Sequence, residues 1–374
     1  MQQMKKRRSR LQAILILIGL FALIAALIVC AVVLFTPKAA VGIITNRLPC
    51  QYSETIKPFG DYVLYYDGLS LHCMTTSGSV RWSFPIGGEA GFDCNEKVVA
   101  AWIGSTIYLL DRYGNATYND RLSDNILFAR AGEQYVAIVI GDETSSRLMI
   151  KDHTGAHMDE EADAFENLII LDVGFYGKNG EYMWSLALDV FGTAANTTMN
   201  TYEVGKRNTG AESLGEYISY KVVYENTRLR VISTRTMKSF SYNFTEDPSQ
   251  SVLVYGWKLI GHEVPARGDA LLLFAPTSQT TNLYDIHELR LIYGKNDRRY
   301  SLPQACIGAL VWHGALYAVS PTAMYCAGLS NSSFLEYPLN LPSPATRYIG
   351  NTQNGRAIVA CGEEVYTVSL PAVR

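Results

Sequence analysis

The stretch LHCMTTSGSVRWSF, residues 71–84, reads as a strand, a tight turn around Gly78 and a second strand, with Trp82 four residues after the turn glycine. An isolated hairpin and one copy of a repeated unit look alike at this length, so the later sequence decides. IYLLDRYGNATY (107–118) repeats the form around Gly114, and LMIKDHTGAHMD (148–159) repeats it around Gly155. The three glycines lie 36 and 41 residues apart, the period of propeller blades rather than of sandwich strands. Glycine suits such a turn because it reaches positive φ with no Cβ to clash. Asp111 and Asp152 stand three residues before their glycines, where a carboxylate can accept hydrogen bonds from the turn amides.

Each unit also carries an upstream run rich in β-branched, aliphatic and aromatic residues. These are YVLYY (62–66), KVVAAWI (97–103), YVAIVI (135–140), EYMWSLALDV (181–190), YISYKVVY (217–224), DALLLFA (269–275), GALYAVS (314–320) and GRAIVAC (355–361). Such runs fit strands buried on both faces between neighbouring sheets. The prediction is an all-β fold, a single β-propeller of eight four-stranded blades over residues 50–374. Seven blades is the alternative, because units four and five crowd together at TYEVGKRNTGAESLGEYISYKVVY (201–224). The last unit has room for three strands. Its fourth is expected from VGIITNR (41–47), within a linker at residues 36–49, which would close the ring and remove its exposed edges.

Upstream of that linker the chain opens MQQMKKRRSR, a basic tail at residues 1–10, and continues with 25 uncharged residues at 11–35. A run of that length crosses a hydrocarbon core of roughly 30 Å as a helix, the one spanning structure a single segment can form. Lys5, Lys6, Arg7, Arg8 and Arg10 precede it, which places the N-terminus in the cytoplasm and the remainder outside. A cleaved signal peptide would have a shorter apolar region and a better site than Lys38-Ala39-Ala40. LIVC (27–30) departs from a lipoprotein signal at the bulky Val29. The expectation is a single-pass signal anchor in the cell membrane. Without the five cations of the tail, 27 Lys and Arg face 35 Asp and Glu, a balance that offers nothing to nucleic acid.

MTTSGSVRWSF resembles the repeat of quinoprotein-like propellers, in which a Thr-Gly-type turn precedes a strand ending in Trp. The first unit matches well, whereas Tyr118 stands where Trp82 stands and later units drift further. The overall plan of basic tail, one helix and degenerate propeller resembles membrane-anchored propeller proteins of clostridial-type Gram-positive bacteria. That resemblance brings no activity with it.

The quinoprotein resemblance implies, as an alternative, an oxidoreductase holding pyrroloquinoline quinone beside calcium. Such enzymes typically use an acid and an amide on the metal, often beside adjacent cysteines, and no two cysteines are adjacent here. His262-Glu263 and His287-Glu288 lack the second histidine of a HExxH zinc helix, and no GxSxG elbow, Walker loop or dinucleotide fingerprint occurs. His153 and His157 flank a turn rather than share a helix face. DEEADAFE (159–166) lacks EF-hand spacing and reads as a solvated loop, and Arg267-Gly268-Asp269 reads as a turn before a strand. No catalytic, cofactor or metal residue is assigned. Beyond the anchor the cysteines are Cys50, Cys73, Cys94, Cys306, Cys326 and Cys361, with none between 95 and 305. In a closed ring they gather near the seam, where a disulfide from Cys50 to Cys306, Cys326 or Cys361 is one expectation and six buried thiols the other. The functional expectation is a membrane-tethered scaffold binding a protein or envelope component; a ligand-sensing domain of a membrane complex is a further alternative.

Overall fold

The computed structural model describes residues 43–373, apart from 143–145, 162–164, 166, 226, 242–243, 282–284 and 332. The predicted tail and transmembrane anchor lie outside the described residues. Among those residues, no helix is long and apolar enough to cross a membrane.

Eight sheets of four antiparallel strands follow one another along the chain. Blade 1 is Lys57–Phe59, Tyr62–Tyr66, Ser70–Thr75 and Val80–Pro85, a meander in which each strand pairs with the next. The first strands of successive blades touch, as Gly91–Cys94 does Ile126–Ala131, and therefore form the inner wall. Arg347–Thr352, the first strand of blade 8, touches Lys57–Phe59 of blade 1. The ring is closed, with eight blades rather than the alternative seven.

Closure uses the N-terminal strand, as the sequence suggests, but in a different register. Thr45–Gln51, not 41–47, pairs with Glu364–Ser369, from Thr45 opposite Val368 to Gln51 opposite Glu364. The reason is Leu48, 1% exposed, which fills the core between blades 8 and 1 with Val63, Ile358 and Val365. Ile44, inside the expected strand, is 55% exposed.

Seven of the eight apolar runs are the second strands of their blades, sandwiched between neighbours. The exception is blade 5, where YISYKVVY contains the innermost strand, Ser219–Glu225, and the second is Arg228–Ser233. Two arginines hide that strand from a hydropathy reading. Arg230 is nevertheless buried, because its Nε donates to Glu225 Oε1 at 2.6 Å and its Nη1 to the carbonyl of Gln250 at 3.4 Å. The second carboxylate oxygen of Glu225 accepts the Ala270 amide of blade 6 at 2.9 Å.

The repeated glycine turn is a set of staples between blades. Gly78, Gly114 and Gly155 all adopt positive φ in the turn between third and fourth strands. Asp111 Oδ1 accepts from the Tyr113 and Asn115 amides at 2.8 and 2.9 Å, and Asp152 Oδ1 does the same for Thr154 and Ala156. In blade 1 the Thr75 hydroxyl takes that part, accepting from Ser79 N at 3.0 Å. Four residues after each glycine, a fourth-strand side chain reaches the corresponding turn of the next blade. Trp82 lies on Gly114 and donates to the carbonyl of Arg112 at 3.1 Å; Tyr118 lies on Gly155; Asp159 accepts from Gly205 N at 2.9 Å. Gly78 itself is covered by Arg47 and Pro49 of the closing strand, so the same contact seals the ring.

Candidate interaction surface

Several charged side chains on the inner wall hold neighbouring blades together. Lys57 Nζ donates to the carbonyl of Phe92 at 2.8 Å and meets Asp93 at 3.3 Å, while the other oxygen of Asp93 accepts Ala131 N at 3.1 Å. Arg130 Nε donates to Asp172 at 2.8 Å. These contacts bridge blades 1 to 4 in sequence. Farther round, His262 keeps an exposed edge on the innermost strand of blade 6, with much of the surrounding space filled by protein and the Lys221 charge near it. That desolvation, with the Lys221 charge, pushes its pKa down to about 4.

The carboxylates that could serve a quinone-bound calcium are thus already paired, and among the described residues no group of three His, Cys, Asp or Glu could hold a metal ion. The inner wall does not fit that cofactor.

The six described cysteines are free thiols. Cys50 packs toward blade 1, beside Leu48 and Met74, whereas Cys361 and Cys326 pack between blades 7 and 8 and Cys306 between blades 6 and 7. Cys50 and Cys361 therefore face opposite sides of one sheet, and alternation along a strand forbids a bridge between them. Burial pushes the Cys50 and Cys326 thiols up to about 11 and those of Cys73, Cys94 and Cys306 to about 12. Of the histidines, His153 bonds the carbonyl of Gly132 at 3.0 Å and His287 meets Asp285 at 3.2 Å. In the acidic stretch, Asp159 serves its staple and Glu160 pairs with Arg147 at 3.4 Å.

In a meander ring, connections from second to third strand and from fourth strand to the next blade emerge on one face. On this face, at the channel mouth, a cavity of about 220 Å³ is lined by Tyr52, Glu54, Ile307, Arg347 and Tyr348, with Arg347 stacked 5.5 Å above the Tyr52 ring.

Over blades 4 to 6 the same face is apolar. Val190 and Phe191, in the second-to-third connection of blade 4, are 44% and 60% exposed, and Tyr217 and Ile218 lead into blade 5 at 40% and 44%. Leu253 and Tyr255 lead into blade 6 at 61% and 75%. Backbone contacts make these loops neighbours. Thr197 Oγ1 donates to the carbonyl of Tyr217 at 3.3 Å, Thr234 N to that of Ile218 at 3.1 Å, and Val254 N to that of Arg235 at 2.8 Å. Arg235 lies 4.9 Å over the Tyr217 ring and donates to its hydroxyl. Phe191 is held out by Asp189, whose Oδ1 accepts from Phe191 N at 2.9 Å.

The connections of this face are also acidic. Glu54, Asp67, Glu89 and Glu363 surround blades 8, 1 and 2, and Asp124, Asp142, Glu216 and Asp285 follow around blades 3 to 6. Arg235 is the one base among those described connections. On the opposite face, Lys97, Arg112, Lys178, Lys206, Arg267 and Lys295 balance the acids of the turns. Sequence reasoning missed this surface because its residues sit in four separate loops; the pairs Val190-Phe191 and Tyr217-Ile218 at the ends of apolar runs were the available signal.

No family model matches the chain, and no curated protein matches it in sequence. Among solved structures, BamB from Moraxella catarrhalis is similar with a TM-score of 0.56 at 9% identity, over 88% of this chain and 99% of that one. Sqt1 from Saccharomyces cerevisiae gives 0.57 at 10%, over 90% and 100%. The tricorn protease gives 0.52 at 10%, over 81% of this chain and 36% of that one. The likeness is one of fold. A propeller hosts unrelated activities, so the function has to be argued from the surface.

Proposed function

We propose that the chain is a binding scaffold, tethered to the outer side of a cell membrane by residues 11–35, whose propeller holds a protein partner. The uncharged run behind five cations supports the tether and its orientation. The observation that carries the binding reading is the exposed apolar surface of Phe191, Tyr217, Ile218, Leu253 and Tyr255. Exposed apolar patches beyond roughly a few hundred Å² mark interaction sites on soluble proteins, and aromatic residues in them are the usual anchors of an interface.

The test is crosslinking and pull-down of the full-length, membrane-embedded chain beside a Phe191→Ser/Tyr255→Ser variant and an anchor-deleted control. A stoichiometric partner retained without the anchor and lost with the double variant is the expected result. The same partners captured by wild type and double variant would overturn the reading. A ligand-sensing role is the second reading, favoured by the mouth cavity under Arg347 and Tyr52; it predicts a small molecule bound there and lost on Arg347→Ala.

A further inference from the structure

We infer that the partner presents a cationic segment carrying aromatic or aliphatic anchors, and that it docks across blades 4 to 6 of the acidic face; this rests on the scaffold reading above. The apolar surface supplies the anchoring area, and the charge around it selects the occupant. Glu216 is exposed directly beside Tyr217, and Asp189, half-buried beside Val190, adds its charge while accepting from the Phe191 and Gly192 amides. A bound cation would answer the Glu216 charge, for which no ion pair exists among the described residues. Arg235 is turned onto the Tyr217 ring and its hydroxyl, which leaves it less available to an anionic partner, and Lys258, exposed on the innermost strand of blade 6, bounds the acidic surroundings on that side.

The same charge disfavours two other occupants. A second copy docking the same patch face to face would set acid against acid, and a bilayer rich in anionic lipid would be repelled. Lys and Arg flanking Trp, Phe or Leu satisfy both requirements, with the apolar side chains entering between Phe191, Ile218 and Tyr255.

The test uses the full-length chain in detergent and three fluorescent peptides of equal length. One alternates Lys and Arg with Trp and Leu, one replaces its cations by Glu, and one replaces its Trp and Leu by Ser. The first should bind, weaken as salt is raised, and lose about tenfold in affinity on Glu216→Lys, the scale of reversing one nearby charge. Asp61→Lys, on the opposite face, should leave binding unchanged, and matching melting temperatures confirm that both variants fold. Equal binding of the Glu peptide, equal binding of the Ser peptide, an unaffected Glu216→Lys variant, or no binding of the cationic peptide overturns the inference. A pull-down partner lost with Phe191→Ser/Tyr255→Ser but touching the patch through a neutral or acidic segment overturns this inference and leaves the scaffold reading standing.

Discussion

At the residue scale, the staples turn a weak motif into a structural necessity. A Cβ on Gly114 would fall 2.5 Å from the Trp82 ring, and the residue sits at φ +86°. Gly114→Ala therefore meets both a strained backbone and a blocked contact, and should lower unfolding free energy by about 2 kcal/mol or more in urea titration. An alanine variant as stable as wild type would show the staple to be incidental. His262 offers a second test, with the sign set by its depressed pKa of about 4 against about 6.5 in an unfolded chain. Between those values the unfolded state binds the extra proton, so stability falls as pH drops through 6.5 and levels off below 4. His262→Asn should shrink the difference in urea midpoint between pH 7.5 and 4.5; an unchanged difference would assign the pH response elsewhere.

At the element scale, two strands carry more than their sequences suggest. Thr45–Gln51 has one fully buried side chain, Leu48, yet it is the outer edge of blade 8 and the cover of Gly78. Leu48→Ala should cost about 3 kcal/mol, as large-to-small core changes do, and should lower one cooperative melting transition rather than split it. Arg228–Ser233 holds a buried charge whose partner lies on the neighbouring innermost strand. Glu225→Ala leaves Arg230 uncompensated and the Ala270 amide unmatched, so a loss of about 3–5 kcal/mol is expected by calorimetry. A loss below 1 kcal/mol would mean that water reaches the pair. These two strands are also where sequence reading slips, and for one reason. Their anchoring side chains depend on partners that a hydropathy pattern does not show, Leu48 on Val63, Ile358 and Val365 and Arg230 on the Glu225 carboxylate, whereas the other second strands announce themselves through their own aliphatic content.

At the scale of the whole molecule, the ring spreads six thiols over four inter-blade cores instead of pairing them. A reducing agent should leave the melting temperature unchanged, and all six should alkylate after denaturation without reductant. At pH 7.5 the native thiols should react slowly, because burial holds them far from the thiolate form. A melting temperature that falls on reduction would restore a bridge. Period, turn chemistry and seven of the eight second strands were legible in the sequence alone, because glycine at positive φ, carboxylates three residues earlier and doubly buried strands are local requirements. The charged tail and apolar run at residues 1–35 are equally local. Tertiary structure alone decided that there are eight blades, that Leu48 sets the closing register and that Cys50 and Cys361 look away from each other. It alone also gathered Phe191, Tyr217, Ile218, Leu253 and Tyr255 on one acidic face. Those outcomes depend on which loops the closed ring makes neighbours, and neighbourhood across a ring is not written in any one segment.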